Sequence, residues 1–217
     1  MGDGPWLIYD YTTWQPWQFV AWTFGILAGM HILTVLIPAV FEGRAALIEM
    51  RGKHLDVLAP VDKAAIFFNK LMTAMFVYHC IHVVYRLDTV EWSFDRGHLT
   101  LLNTLGSLLA FYVVYDFFYT IFHKVLHMRF IYRYIHKHHH KQKAPTRGNL
   151  DAINVHPFEF VCGEYLHLLT IYLVPCHVAT AVFFVLAGGV FASLNHTRFH
   201  VVIPGIYDVK VSQSVSQ

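Results

Sequence analysis

An all-α membrane protein, a small bundle of spanning helices with a cytosolic histidine-rich cap, is the fold class this sequence predicts, and three observations predict it. Of the 217 residues, 56% are hydrophobic and 14% charged, with a mean hydropathy of +0.44, which is too apolar for an ordinary soluble domain. The apolar residues come in blocks about as long as the roughly 20 residues that cross bilayer hydrocarbon. Sixteen histidines are the compositional anomaly, and eleven of them fall between His123 and His200. Imidazole is the commonest metal ligand and a poor lipid-facing surface, so that crowding asks for a chemical reason. A net charge of +2 gives no argument for nucleic acid. Cys80, Cys162 and Cys176 lack any paired spacing; each is expected to be an apolar filler and not part of a disulfide framework.

Taken in order, residues 1–18 carry two aspartates, no lysine or arginine and no short apolar run, so no cleavable signal peptide is read there. Residues 19–122 are expected to hold three membrane-spanning segments. The first, 19–41, has no formal charge, and Trp14, Trp17 and Trp22 near its start resemble an interfacial belt. His31 within it has no second coordinating group at i±3 or i±4, so packing against a neighbouring helix is expected. The second, 64–85, follows Ala59-Pro60 and is weakened by Asn69, Lys70, His79 and His82. The His79/His82 pair, without an acidic partner along the helix, is expected to be structural. The third, 99–122, delivers a stripe of Asp116, Thr120, His123 and His127 at i, i+4, i+7 and i+11, one face of a helix. Asp116 is expected either to orient one of these histidines as a hydrogen-bond acceptor or to bond a Tyr or Thr of another helix.

Residues 123–164 form the hydrophilic, histidine-rich region. Between 124 and 164 seven Lys or Arg stand against three acids, whereas 86–98 holds two against three. That bias predicts a cytosolic histidine block and a lumenal N-terminus. Pro, Gly and Asn punctuation after His140 predicts a structured loop leading to another helix. Residues 165–194 are too long and apolar for one span and carry Pro175 near the middle, which predicts a membrane hairpin. Its return would bring residues 195–217, with His196 and His200, to the same face as the other histidines.

His123 and His127 stand four apart, and His136, His139 and His140 stand at i, i+3 and i+4. On a helix each group shares one face, the geometry one metal ion needs from a rigid element. With His196 and His200 there are more imidazoles than one tetrahedral ion takes, which predicts two metals. Imidazole suits zinc, copper and iron alike. A pair of irons beside lipid could activate dioxygen toward an unactivated C–H bond, chemistry that no side chain performs.

The ordered set HKVLH at 123–127, HKHHH at 136–140, HPFE at 156–159 and NHTRFH at 195–200 resembles the fatty acid hydroxylase/sterol desaturase superfamily. The resemblance implies an integral endoplasmic-reticulum enzyme with a histidine-held dimetal centre of two iron ions, zinc being the alternative in a purified protein. It implies dioxygen as co-substrate, a cytochrome-b-type electron donor with its reductase as partner, and hydroxylation or desaturation of a fatty acyl or sterol substrate. His123, His127, His136, His139 and His140 match the first two motifs, and His196 and His200 the next pair, as metal ligands. Asp116, His138, His156, Glu159 and Asn195 are expected in supporting roles around them, while His167 and His177 are expected to pack. The family carries a further HxxHH shortly after NHT. Here the chain reads YDVKVSQSVSQ instead, and Ser212, Gln213, Ser214, Ser216 and Gln217 are poor substitutes for imidazole. The expectation is weak metal occupancy or no turnover, with the tail read as a changed reading frame, an alternative exon or a gene-model error.

Two readings from other classes stand beside this one. A membrane metal-binding or zinc-transport protein would need ionisable groups near the midplane of several spans, and His31, Lys70, His79, His82 and Asp116 offer little of a pathway. A noncatalytic paralogue would keep the fold without the reaction.

Overall fold

Proline opens three of the long helices, at the position where its missing N–H leaves no bond unmade and its fixed φ suits the first turn. These are α1 (Pro16–Phe41), α2 (Pro60–Tyr85) and α6 (Pro157–Leu173). A fourth begins differently: Thr100 and Asn103 cap each other, the Thr100 amide donating to Asn103 Oδ1 at 2.9 Å and the Asn103 amide to Thr100 Oγ1 at 3.2 Å. From there a π-helical turn, Leu102–Gly106, runs into α3 (Ser107–Leu126). Beyond α3 come α4 (Arg129–Tyr134), a 3-10 helix (His136–Lys141), the single turn α5 (Asn149–Ala152) and, after α6, α7 (Val178–Asn195). The computed structural model describes residues 14–48, 57–95, 97–141, 146–204 and 207–209. The polar tail at 210–217, most of the N-terminal segment 1–18 and part of the loop after His140 lie outside the described residues.

Among the described residues, four helical stretches are long and apolar enough to cross a membrane: Pro16–Phe41, Pro60–Tyr85, Leu102–Leu126 and Val178–Asn195. The all-α membrane class read from hydropathy is therefore the one observed. The apolar block ending at residue 194 is built as α6 and α7, separated by a break that contains Pro175, whose ring and missing amide would not fit a helix interior. His177 fills the break. Its Nδ1 accepts the Ala179 amide at 3.1 Å, capping α7, and its Nε2–H donates to the Ser93 carbonyl at 3.1 Å, one neutral tautomer serving both bonds.

Helix α6 packs between α2 and α3. Phe76, Cys80 and Val84 of α2, Phe111 of α3, Leu168 and Ile171 of α6, and Ala181 and Phe184 of α7 bury one another in the largest cluster. In lipid such contacts act through packing rather than through release of water, so close approach matters. A Cβ added at Gly188 of α7 would lie 2.8 Å from His167 Nε2 on α6, and that ring is already held between Tyr115 and Phe184. His167 thus packs between helices. His31 does not: it is exposed on α1, which turns Ile26, Leu27, Met30 and Ile37 inward. Those four residues define the inner face at helical spacing, and His31 falls off it.

Short strand pairs tie the helix ends together. β1 (Ala46–Leu47) pairs antiparallel with β4 (Phe199–His200), β2 (Val90–Glu91) pairs parallel with β3 (Cys176–His177), and β5 (Val202–Ile203) pairs antiparallel with β6 (Tyr207–Asp208). Asn69, fully buried on α2, donates to the carbonyls of Ile153 at 2.8 Å and Val155 at 3.0 Å, fixing the segment that leads into α6. The β1–β4 pair and the Asn69 bonds hold the histidine-bearing end of the bundle, while the β2–β3 pair ties the α6–α7 break at the opposite end, beside the start of α3.

Candidate metal centre

The last turn of α3 carries His123, and His127 is its C-cap. One turn apart on the same face, their rings lie 4.7 Å apart and their Nε2 atoms 3.0 Å apart. Helix α4 then folds the chain back, and the 3-10 helix presents His136 and His140, whose Nε2 atoms are 2.9 Å apart. The coordinating nitrogens of His123, His127, His136 and His140 all lie within 4.8 Å of one another. A separation near 3 Å between two imidazole nitrogens suits either one N–H···N bond or two lone pairs turned on a common cation. Four of them converging is a set able to hold a metal ion.

The histidine run at 136–140 is 3-10 rather than α-helical. With three residues per turn, side chains at i and i+3 eclipse, and the His136 and His139 rings accordingly stack at 5.7 Å with planes 24° apart. His139 stands in turn 5.7 Å from His196, centroid to centroid. The Nδ1–H of His196 donates to the Ala192 carbonyl at 2.8 Å, which leaves its Nε2 lone pair for a ligand. Six of the seven histidines expected as ligands therefore share one neighbourhood.

His200 does not join them. Its Nε2 lies 3.2 Å from Asp208 Oδ1, and among the described residues it makes no ring contact with another histidine. The reason is local: α7 ends at Asn195 and His200 lies in β4, so the four-residue spacing from His196 no longer means a shared face.

Glu159 provides the orienting contact. His136 is fully buried, and its Nδ1–H donates to Glu159 Oε1 at 2.9 Å, which fixes the tautomer and aims Nε2 into the cluster. The other oxygen, Oε2, is buried without a hydrogen-bond partner. Burial pushes the Glu159 carboxyl up to about 8. Burial also holds His127, His136, His139, His140 and His196 below the usual imidazole value of 6.5, so each is a neutral donor at neutral pH.

The remaining expected residues surround this centre unevenly. His138 turns away, its Nε2 3.0 Å from Asn154 Oδ1 and 3.4 Å from Asp62 Oδ1, linking the 3-10 helix to the first turn of α2. His156 caps α6, its Nδ1 accepting the Phe158 amide at 3.2 Å. Asn195 accepts a short hydrogen bond from the Tyr207 hydroxyl. Asp116 is exposed and makes no hydrogen bond to these histidines among the described residues. Seven residues from His123, it sits roughly 10 Å away along the helix axis, beyond a carboxylate's reach although on the same face. His79 and His82 diverge, His79 Nδ1 meeting the Tyr165 hydroxyl at 2.8 Å and His82 stacking on Tyr78.

Two tyrosines that sequence reasoning passed over wall the centre. The Tyr132 ring lies 5.7 Å from His127 and from His140, and Tyr119 lies 5.7 Å from His123. Tyr119 precedes His123, and Tyr132 precedes His136, by one helical turn, a spacing that was visible in the sequence. Asp151, fully buried, accepts the Thr146 and Arg147 amides and the Arg147 Nε, and the adjoining Gly148 amide donates to the His196 carbonyl at 3.0 Å. No hydrophobic period or ligand spacing marked that support.

Residues 108–214 match the family described as fatty acid hydroxylase, a stretch that contains all six clustered histidines and Glu159. Comparison with curated proteins and with solved structures found no match.

Proposed function

We propose, from the match of residues 108–214 to the fatty acid hydroxylase family, that this chain is a membrane-bound non-haem dimetal oxygenase of lipid metabolism. Its metals in this reading are two iron ions, and its reaction is hydroxylation or desaturation of a fatty acyl or sterol C–H bond with dioxygen. The observation that carries the proposal is the convergence of four imidazole nitrogens within 4.8 Å at the end of a candidate spanning helix.

The donor set fits such a centre. Neutral imidazoles suit iron and zinc, and one of them is oriented by a buried carboxylate whose second oxygen has no other bond. His123, His127, His136 and His140 would hold one ion, and His139 and His196 would contribute to a second. Bound iron would supply dioxygen activation, which the side chains cannot. The protein's own part is to hold the imidazoles in register through α3, the 3-10 helix and the end of α7, with Tyr119 and Tyr132 packed against them to restrict their rings. A cytochrome-b-type donor and its reductase would supply electrons, and the endoplasmic-reticulum membrane, with the histidine block cytosolic, is the setting the proposal implies.

The test is metal analysis of the purified chain, followed by incubation with lipid, labelled dioxygen and a reducing system. Iron in the preparation is the expected result, with little or no label in an oxidised lipid, since Ser212, Gln213, Ser214, Ser216 and Gln217 stand where the family carries a further HxxHH. Bound zinc with no oxidised lipid under iron loading would overturn the oxygenase reading and leave a metal-binding protein.

A further inference from the structure

Between the two histidine pairs the chain makes α4, a helix of only six residues, and its two sides differ in kind. Tyr132 faces the imidazoles of His127 and His140. Phe130 and Tyr134, about 160–200° around the helix from Tyr132, face outward and touch each other at 5.9 Å. They are 79% and 61% exposed, and the neighbouring Met128 is 58% exposed, so α4 presents large apolar side chains outward as the apolar helices do. Arg129 and Arg133 form a second exposed stripe beside the aromatic one, with the Arg133 guanidinium 4.9 Å above the Tyr134 ring. From 124 to 141 the chain holds Lys124, Arg129, Arg133, Lys137 and Lys141, all exposed, and no Asp or Glu.

We infer that α4 is an interfacial anchor that seats Met128, Phe130 and Tyr134 in the headgroup layer of the bilayer and sets Arg129 and Arg133 against anionic lipid. Position argues for lipid over other occupants: the apolar stretch Leu102–Leu126 ends three residues before α4 begins, so the face lies where that span leaves the hydrocarbon. Composition agrees, because aromatic rings and arginines are the residues that prefer this layer, and the unbroken positive charge complements acidic headgroups. The anchor lies between the ligand pairs, so docking it would set the height of the histidine cluster above the acyl chains. It requires no metal.

The test uses the full chain reconstituted in bilayers of phosphatidylcholine, alone or mixed with phosphatidylserine. Phe130→Trp adds one indole, read as the difference from the native tryptophan emission, and Tyr134→Trp provides a second reporter should the first disturb folding. Expected is a blue-shifted difference spectrum, quenched by brominated acyl chains and sheltered from acrylamide. The shelter should increase with phosphatidylserine, and Arg129→Gln with Arg133→Gln should abolish that increase. Red-shifted, acrylamide-quenched emission in both bilayers would overturn the inference. Shelter independent of phosphatidylserine would remove the anionic half of it, and shelter appearing only when an acidic soluble protein is added would assign the face to a protein partner instead.

Discussion

His136 and Glu159, twenty-three residues apart, meet at 2.9 Å with the imidazole fully buried and the carboxylate nearly so. The bond joins the 3-10 helix to the first turn of α6 and settles which nitrogen of His136 faces its neighbours. Glu159→Ala should therefore weaken metal binding by about 10- to 100-fold, while Glu159→Gln, which keeps an acceptor oxygen, should lose less. Competition titration with a chromophoric chelator measures both, and equal affinities in all three proteins would show that the carboxylate does not orient the ring.

His123 and His200 should behave differently although both were read from sequence as ligands. His123→Ala removes a member of the four-nitrogen set and should lower bound metal, whereas His200→Ala, at an imidazole held by Asp208, should leave the stoichiometry unchanged. Elemental analysis of the purified variants decides this; a matching loss in both would return His200 to the centre.

The metal-free protein should be most stable near pH 6.5. Glu159 is raised to about 8, so the folded state binds more protons than the unfolded chain between that value and 4.5, and stability rises as pH falls through 8. His127, His136, His139, His140 and His196 are depressed below 6.5, so from 6.5 downward the unfolded chain takes up protons first and stability falls. Five imidazoles outweigh one carboxyl there. Thermal melts of chelator-stripped protein across this range should trace a maximum, and a monotonic rise toward acid would contradict it.

Gly188→Ala should destabilise the α6–α7 packing by about 1–3 kcal/mol, because the new methyl meets a histidine ring wedged between two aromatic rings. Gly188→Ala combined with His167→Ala should recover part of that loss by making room. Melting temperatures in one detergent would show it, and an unshifted single variant would mean that the helices part without cost.

Hydropathy made the helices legible, because a bilayer allows few other forms to an uncharged run such as 19–41. Spacing also foreshadowed the clustering of His123, His127, His136 and His140, whereas His139 lies beside His136 through the eclipsed side chains of a 3-10 turn and not on an α-helical face. Spacing failed where the backbone changed type: His196 and His200 share a face only if a helix continues, and it stops at Asn195. Asp116 failed on distance rather than direction. The buried supports, Asn69 under Ile153 and Val155 and Asp151 beneath the turn next to His196, join positions far apart in sequence or act through backbone amides, and neither leaves a periodic trace.

The short helix between the histidine pairs also acts as a ruler. One residue inserted between Met128 and Ile135 would rotate everything after it by about 100° and carry His136 and His140 out of facing distance from His123 and His127. Length in this segment is therefore under tighter constraint than residue identity, and an insertion scan should find it intolerant even at positions whose side chains point outward.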